Sequence, residues 1–166
     1  MTFTHYSGRP IDALQHVQYR QIHSVKPEGF WISVDGEEDW KEWCQSNNLR
    51  TEDLKHAYAV ELDGESNILW LKKPTDVDEF EKRYCSEPST DGFISPLINW
   101  PEVASQYDGI VISPYYWERR WGRGSIWYYS LDCASGCIWN LDAIARITPK
   151  SFVSDERDTI LEAAEL

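Results

Sequence analysis

Gly29-Phe30-Trp31-Ile32-Ser33-Val34 is the stretch on which the fold turns. Its aromatic and β-branched residues suit a pleated surface, and they lie between two turn signals, Lys26-Pro27-Glu28-Gly29 and Asp35-Gly36. Alternation along such a strand puts Trp31 and Ser33 on one face. Upstream, Phe3 to Ser7 reads as a short strand that Gly8-Arg9-Pro10 breaks. Residues 11–25 show no clear period. Downstream, Asp39 to Ser46 predicts a helix with Trp40, Trp43 and Cys44 on one face, and the two tryptophans read as core.

Thr51 suits an N-cap before a short turn. His56 to Leu62 and Asn67 to Leu71, joined through Asp63-Gly64, read as a β-hairpin. Thr75 opens a helix over 76–85 with Val77, Phe80 and Tyr84 inward. After a Ser-, Pro- and Gly-rich loop at 86–98, Pro101 suits the first turn of a helix reaching about Gln106. Ile110 to Ser113 reads as a buried strand, 114–124 as a long loop, and Ser125 to Leu131 and Cys137 to Asn140 as strands. Ser154 to Leu166 predicts a closing helix. The succession predicts an α+β fold with a mixed sheet: one domain over 1–150, followed by a C-terminal helix within 151–166.

A chain of 166 residues buries roughly two-thirds of its unfolded surface, so its core needs no metal or disulfide. Nine tryptophans and nine tyrosines argue against disorder. Asp and Glu total 28 against 16 Lys and Arg, a net charge of −12. That balance disfavours a broad grip on nucleic acid, but leaves room for a small basic groove or for an acidic protein that imitates nucleic acid. No segment approaches the roughly 20 apolar residues of a membrane span. The N-terminus lacks the basic and apolar regions of a secretory signal. Cys44, Cys85, Cys133 and Cys137 form no Cys-x-x-Cys pair and no zinc spacing, so no metal is expected, and they read as reduced thiols of a cytoplasmic protein. Cys133 and Cys137 are a weak signal for a redox pair.

There is no phosphate-binding Gly-x-x-x-x-Gly-Lys-Ser/Thr loop, no His-Glu-x-x-His and no Gly-x-Ser-x-Gly. Four places remain for chemistry. His5 and Ser7 point to one side of the first strand and suit a ribose hydroxyl and an amide; the competing reading is a polar surface strand. Trp31 with Ser33 suits a flat heterocycle; the competing reading is plain core packing. The 114–124 loop sets Arg119, Arg120 and Arg123 among Tyr115, Tyr116, Trp117 and Trp121, a local reversal of charge that suits a phosphate or nucleobase. Glu118 sits among them as a candidate base or electrostatic partner. Against this, surface arginines also pair with a protein's own acids. Last, Asp132 precedes the small residues Ala134-Ser135-Gly136, where a ligand can approach the backbone closely.

The order of these pieces resembles the histidine-bearing branch of the ADP-ribosyltransferase superfamily. The resemblance rests on His5-x-Ser7, Gly29-Phe30-Trp31-Ile32-Ser33, the strand at Tyr107-Asp108-Gly109-Ile110-Val111, the aromatic loop, and Asn140-Leu141-Asp142-Ala143-Ile144. It covers most of residues 3–147 as scattered short motifs. It implies a mainly antiparallel split β-sheet with flanking helices, and NAD as substrate. His5 and Ser7 would hold NAD, Trp31 and Ser33 would flank nicotinamide, and Arg9 or the loop arginines would meet the pyrophosphate. Tyr115, Tyr116, Trp117, Arg119, Arg120 and Trp121 would meet the macromolecular target, a nucleic acid or protein, as in a toxin or phage-type effector. The family places an acid at the start of a late strand; here the residues before Ile138 include Ser135 and Gly136, so either Glu118 or Asp132 supplies the acid from elsewhere, or the fold is kept and the activity is lost or changed. The alternative is a non-enzymatic acidic interaction or inhibitor protein that binds a basic partner, with tryptophans as anchors.

Overall fold

The computed structural model describes residues 1–15, 17–36, 38–86, 96–120 and 126–151. Among them the strands are β1 (Phe3–Ser7), β2 (His23–Ser24), β3 (Phe30–Val34), β4 (His56–Leu62), β5 (Ile68–Leu71), β6 (Ile98–Asn99), β7 (Gly109–Ile112), β8 (Ser135–Ile138) and β9 (Ile144–Pro149). The helices are α1 (Trp40–Asn47), α2 (Pro74–Tyr84) and α3 (Trp100–Ala104). Seven strands form one curled sheet in the order β5-β7-β8-β3-β1-β4-β9, while β2 and β6 pair separately. Every neighbouring pair in the large sheet is antiparallel except β5 with β7. The class is α+β with few helices. None of the helices is long and apolar enough to cross a membrane.

The decisive stretch is the middle strand of that sheet. Phe30, Ile32 and Val34 are buried on one face of β3. Ile32 lies opposite Gly136 of β8, and Gly136 lies opposite Val111 of β7. A Cβ on Gly136 would stand 2.9 Å from the Ile110 carbonyl oxygen and 3.0 Å from an Ile32 side-chain carbon. Only a residue without a side chain lets the neighbouring chains close on it.

The inner stripe of α2, Val77, Phe80 and Tyr84, lands as periodicity predicts. Phe80 meets Trp127 and Trp100 at ring separations of 4.8 and 5.7 Å, and Trp100 meets Trp139 at 6.2 Å. Burying an indole leaves its N–H to be satisfied. Trp100 Nε1 donates to the Ser24 carbonyl at 3.1 Å, and Trp139 Nε1 to the Tyr107 carbonyl at 2.6 Å. Side chains also set the helix starts: Asp39 accepts from the Glu42 N–H, and Asn99 from the Glu102 N–H.

Several local expectations fail. His56–Leu71 is not a hairpin: β4 pairs with β1 and β9, while β5 pairs in parallel with β7. The Asp63 turn is real, with the Asp63 carboxylate accepting from the Glu65 N–H, but Ile68 and Leu71 gain more by burial beside β7 than by lying back on β4. Residues 126–131 are not a strand. Trp127 and Tyr128 are consecutive and both buried, which alternation on a half-exposed sheet does not allow, and the chain turns as a 3-10 helix over Tyr129–Leu131. The strand placed at Cys137–Asn140 runs over Ser135–Ile138 instead. Trp40 and Trp43 are half-buried and stack on one another at 5.1 Å, so they are not core. The predicted helix at 154–166 lies outside the described residues.

Gly136→Ala is expected to destabilise by about 1–3 kcal/mol through overpacking, whereas Gly64→Ala, with nothing within 4 Å of the added carbon, keeps the wild-type chemical-denaturation midpoint within error. Equal midpoints for the two variants would refute this account of the β7–β8–β3 contact.

Candidate functional site

The sheet is interrupted beside its centre. β1 and β3 share only two register pairs, Phe3 with Val34 and Thr4 with Ser33. Beyond them β1 continues on β4 as far as Ser7 opposite His56, and β3 continues on β8 back to Phe30 opposite Ile138. The two strands part, and a cavity of about 630 Å³ lies between them. His5, Ser7, Trp31, Ser33 and Ser135 all contribute to its wall.

His5 stands where the next backbone rung would be. Its Nδ1 lies 2.7 Å from the Trp31 carbonyl oxygen, which can only accept, so the ring proton sits on Nδ1. Nε2 keeps its lone pair and has no partner among the described residues. The ring stacks on Phe30 at 4.0 Å, 20° from parallel. Burial lowers the His5 pKa and outweighs the Trp31 bond, which raises it, so the imidazole is neutral near pH 7.

The last rung before the gap is held by a polar cluster. The buried Thr4 hydroxyl donates to Asp35 at 2.5 Å, and the Lys150 ammonium donates to Thr4 at 2.5 Å and to Asp35 at 2.9 Å. Burial of Asp35 opposes its charge, but the Thr4 and Lys150 bonds win and hold its carboxyl below the usual range. One residue along, Ser33 Oγ accepts the Trp40 N–H at 2.9 Å and so ties the start of α1 to the cavity floor. Ser135 lies opposite Ser33, its hydroxyl donating to the Cys133 carbonyl at 3.2 Å.

Asp132 does not form part of the cavity wall, although Leu131, Cys133 and Ser135 do. Its backbone has φ 67°, a region that costs a non-glycine residue about 1–3 kcal/mol and persists where the surroundings enforce it. Burial raises its pKa against the opposing charges of Lys26 and Arg120. Its carboxylate is 3.5 Å from Arg120, and the Arg120 guanidinium lies between the rings of Trp117 at 4.8 Å and Tyr129 at 4.4 Å. Glu118 is exposed and also off the cavity wall.

The aromatic loop is more fastened than its composition suggests. Tyr115 is buried and stacks on Tyr128 at 4.9 Å, and the Tyr116 hydroxyl donates to the Lys72 carbonyl. Trp117 Nε1 donates to Glu38 at 2.6 Å. Arg119 pairs with Asp78 at 2.9 Å. Trp117 is 41% exposed and presents the loop's open aromatic face among the described residues. Trp121 and Arg123 lie outside those residues. Arg9 is exposed and is not on the cavity wall.

The cavity brings together four of the predicted residues, His5, Ser7, Trp31 and Ser33. It includes Ser135 of the small-residue stretch after Asp132, and adds Lys26, Arg50 and Tyr19, which the sequence did not single out. The Lys26 ammonium lies 5.7 Å from the Trp31 ring centre, and the Arg50 guanidinium 5.5 Å from that of Trp40. A usable signal was present: Lys26 immediately precedes the Pro-Glu-Gly turn into β3, and Arg50 follows the α1 tryptophans. Cys133 and Cys137 are buried thiols that form no disulfide; burial pushes Cys133 up to about 12 and Cys137 well above the ordinary thiol range. Comparison with protein-family models, with curated proteins and with solved structures found no match.

A histidine whose pKa is lowered on folding contributes stability above its unfolded value of 6.5 and loses it as pH falls through the lower folded value. His5→Phe, which keeps the stack on Phe30, is therefore expected to lose this part of the acid sensitivity. Urea midpoints of both proteins at a series of pH values between 7 and 5 measure it; parallel curves would show that His5 is not buried neutral.

Proposed function

We propose that the chain is an ADP-ribosyltransferase-like enzyme that binds NAD in the cleft between β1 and β3 and transfers ADP-ribose to a macromolecular target. The observation that carries this reading is the parting of the two strands around His5, whose Nε2 lone pair faces no partner among the described residues. A ribose hydroxyl donates to such a nitrogen, and Ser7 supplies a second polar contact along the same strand. Trp31 offers a flat apolar surface to the nicotinamide ring, and the hydroxyls of Ser33 and Ser135 suit its carboxamide.

The chemistry follows from charge. The bond between the nicotinamide nitrogen and ribose C1′ breaks, and its electron pair leaves with the ring and neutralises the pyridinium. Positive charge develops on the sugar. A lone pair from the target then bonds to C1′, and the target group gives up its proton. A carboxylate near the sugar lowers the barrier by stabilising that charge before the new bond forms. Asp132 fills this role in our reading: it adjoins the cavity residues Leu131 and Cys133, its backbone is strained, and its charge is coupled to Lys26. Glu118 has none of these properties. The target would meet the 114–124 loop on its exposed Trp117 side.

Purified protein incubated with NAD is expected to release nicotinamide, measured by chromatography. His5→Ala should abolish release, and Asp132→Asn should slow it roughly 10²–10³-fold while NAD still binds. If the wild-type protein neither binds nor consumes NAD, and His5→Ala leaves its biological effect intact, the reading fails. Salt-sensitive binding to a basic protein would then favour a non-enzymatic acidic partner.

A further inference from the structure

We propose that Lys26 and Arg50 form a two-point clamp for a diphosphate group, so that the cleft takes ligands with two linked phosphates. The inference deepens the NAD reading and rests on it for the rest of the ligand, but the clamp is argued from the two cations themselves.

Both cations line the cavity, and each is backed by a different indole, Lys26 by Trp31 and Arg50 by Trp40. An aromatic face attracts a cation and limits where it can lie, which lowers the cost of fixing it for a ligand. Lys26 has no carboxylate within 4 Å among the described residues. Arg50 gives its Nε to Asp53 at 2.7 Å, and its two terminal nitrogens have no partner among those residues. That leaves the forked end of the guanidinium available to phosphate oxygens. Arg50 also has a left-handed backbone, φ 53°, which a side chain ordinarily avoids.

Charge balance points the same way. The chain has 28 acids for 16 bases, so carboxylates are available to pair with any cation that folding alone would place. Instead these two cations are held within electrostatic reach of one another. The Lys26 ammonium is crowded by the cavity wall although the side chain as a whole is exposed. Desolvation lowers its pKa, Asp132's charge raises it, and Arg50's charge lowers it by less than Asp132 raises it. The repulsion between Lys26 and Arg50, smaller than the pull of Asp132, is relieved when an anion lies between the two cations. Two cations on two separate indoles match two linked phosphates, one charge to each, better than a single phosphate.

Calorimetric titration with ADP, ADP-ribose, AMP and inorganic phosphate at low salt tests the clamp. The wild-type protein is expected to bind ADP and ADP-ribose at least about tenfold more tightly than AMP or phosphate. Lys26→Met and Arg50→Gln should each weaken ADP binding about 10- to 100-fold, the span expected for one charge-assisted bond. Lys26→Arg, which keeps the charge, should stay within a few-fold of wild type. Thermal unfolding should show each variant folded, so that lost ADP binding reports on the cleft and not on the fold. Equal affinity for ADP and AMP, or a folded charge-removing variant that binds ADP like wild type, overturns the clamp. A protein that binds ADP through both cations yet never consumes NAD keeps the clamp and loses the transferase. One that consumes NAD with both cations removed does the reverse.

Discussion

The single bond from His5 Nδ1 to the Trp31 carbonyl occupies the place of a backbone rung, and the rest of the site depends on it. A strand that leaves its neighbour abandons hydrogen-bonding groups, and each one buried without a partner is costly. His5 satisfies the Trp31 carbonyl with a side chain, so β1 and β3 can diverge there. The same bond fixes the tautomer and leaves a lone pair for a ligand. The gap and its chemistry have one cause.

Around the gap, the fold divides its polar groups by duty. Thr4, Asp35 and Lys150 hold the last shared rung and are saturated with one another. Ser33 both faces the cavity and holds α1. Arg119 and Arg120 spend their charge on Asp78 and Asp132. Lys26, which feels Asp132 without an ion pair within 4 Å among the described residues, and the terminal nitrogens of Arg50 lie at the cavity. An acidic chain thus keeps a small positive feature where the sheet opens.

The sequence was informative where a residue's role depends on its near neighbours. Phe30, Ile32 and Val34 announce a central strand, and the spacing of Val77, Phe80 and Tyr84 announces the buried face of α2. His5 and Ser7 were legible as a pair because strand periodicity alone puts them together. What escaped depends on distant pairing. Asp63-Gly64 looks like a hairpin turn, and nothing local says that β5 prefers β7. Trp127 and Tyr128 look like strand residues until both are buried. The two cations were passed over although their indoles are near in sequence, because only the fold turns both toward one cavity. The aromatic loop misled in the other direction: its arginines are conspicuous in sequence, and two of them are already paired within the chain.

The clasp on the last shared rung joins residues far apart in the chain, since Lys150 reaches Thr4 across 146 positions. Its backbone N–H also bonds to the Ala57 carbonyl, on the strand that supports β1. A chain emerging from the ribosome makes Thr4 146 positions before Lys150. The clasp therefore waits on Lys150: until residue 150 has been synthesised and released, Thr4 and Asp35 lack their cation. The last rung that β1 and β3 share is thus fastened late, by a residue far along the chain from both strands.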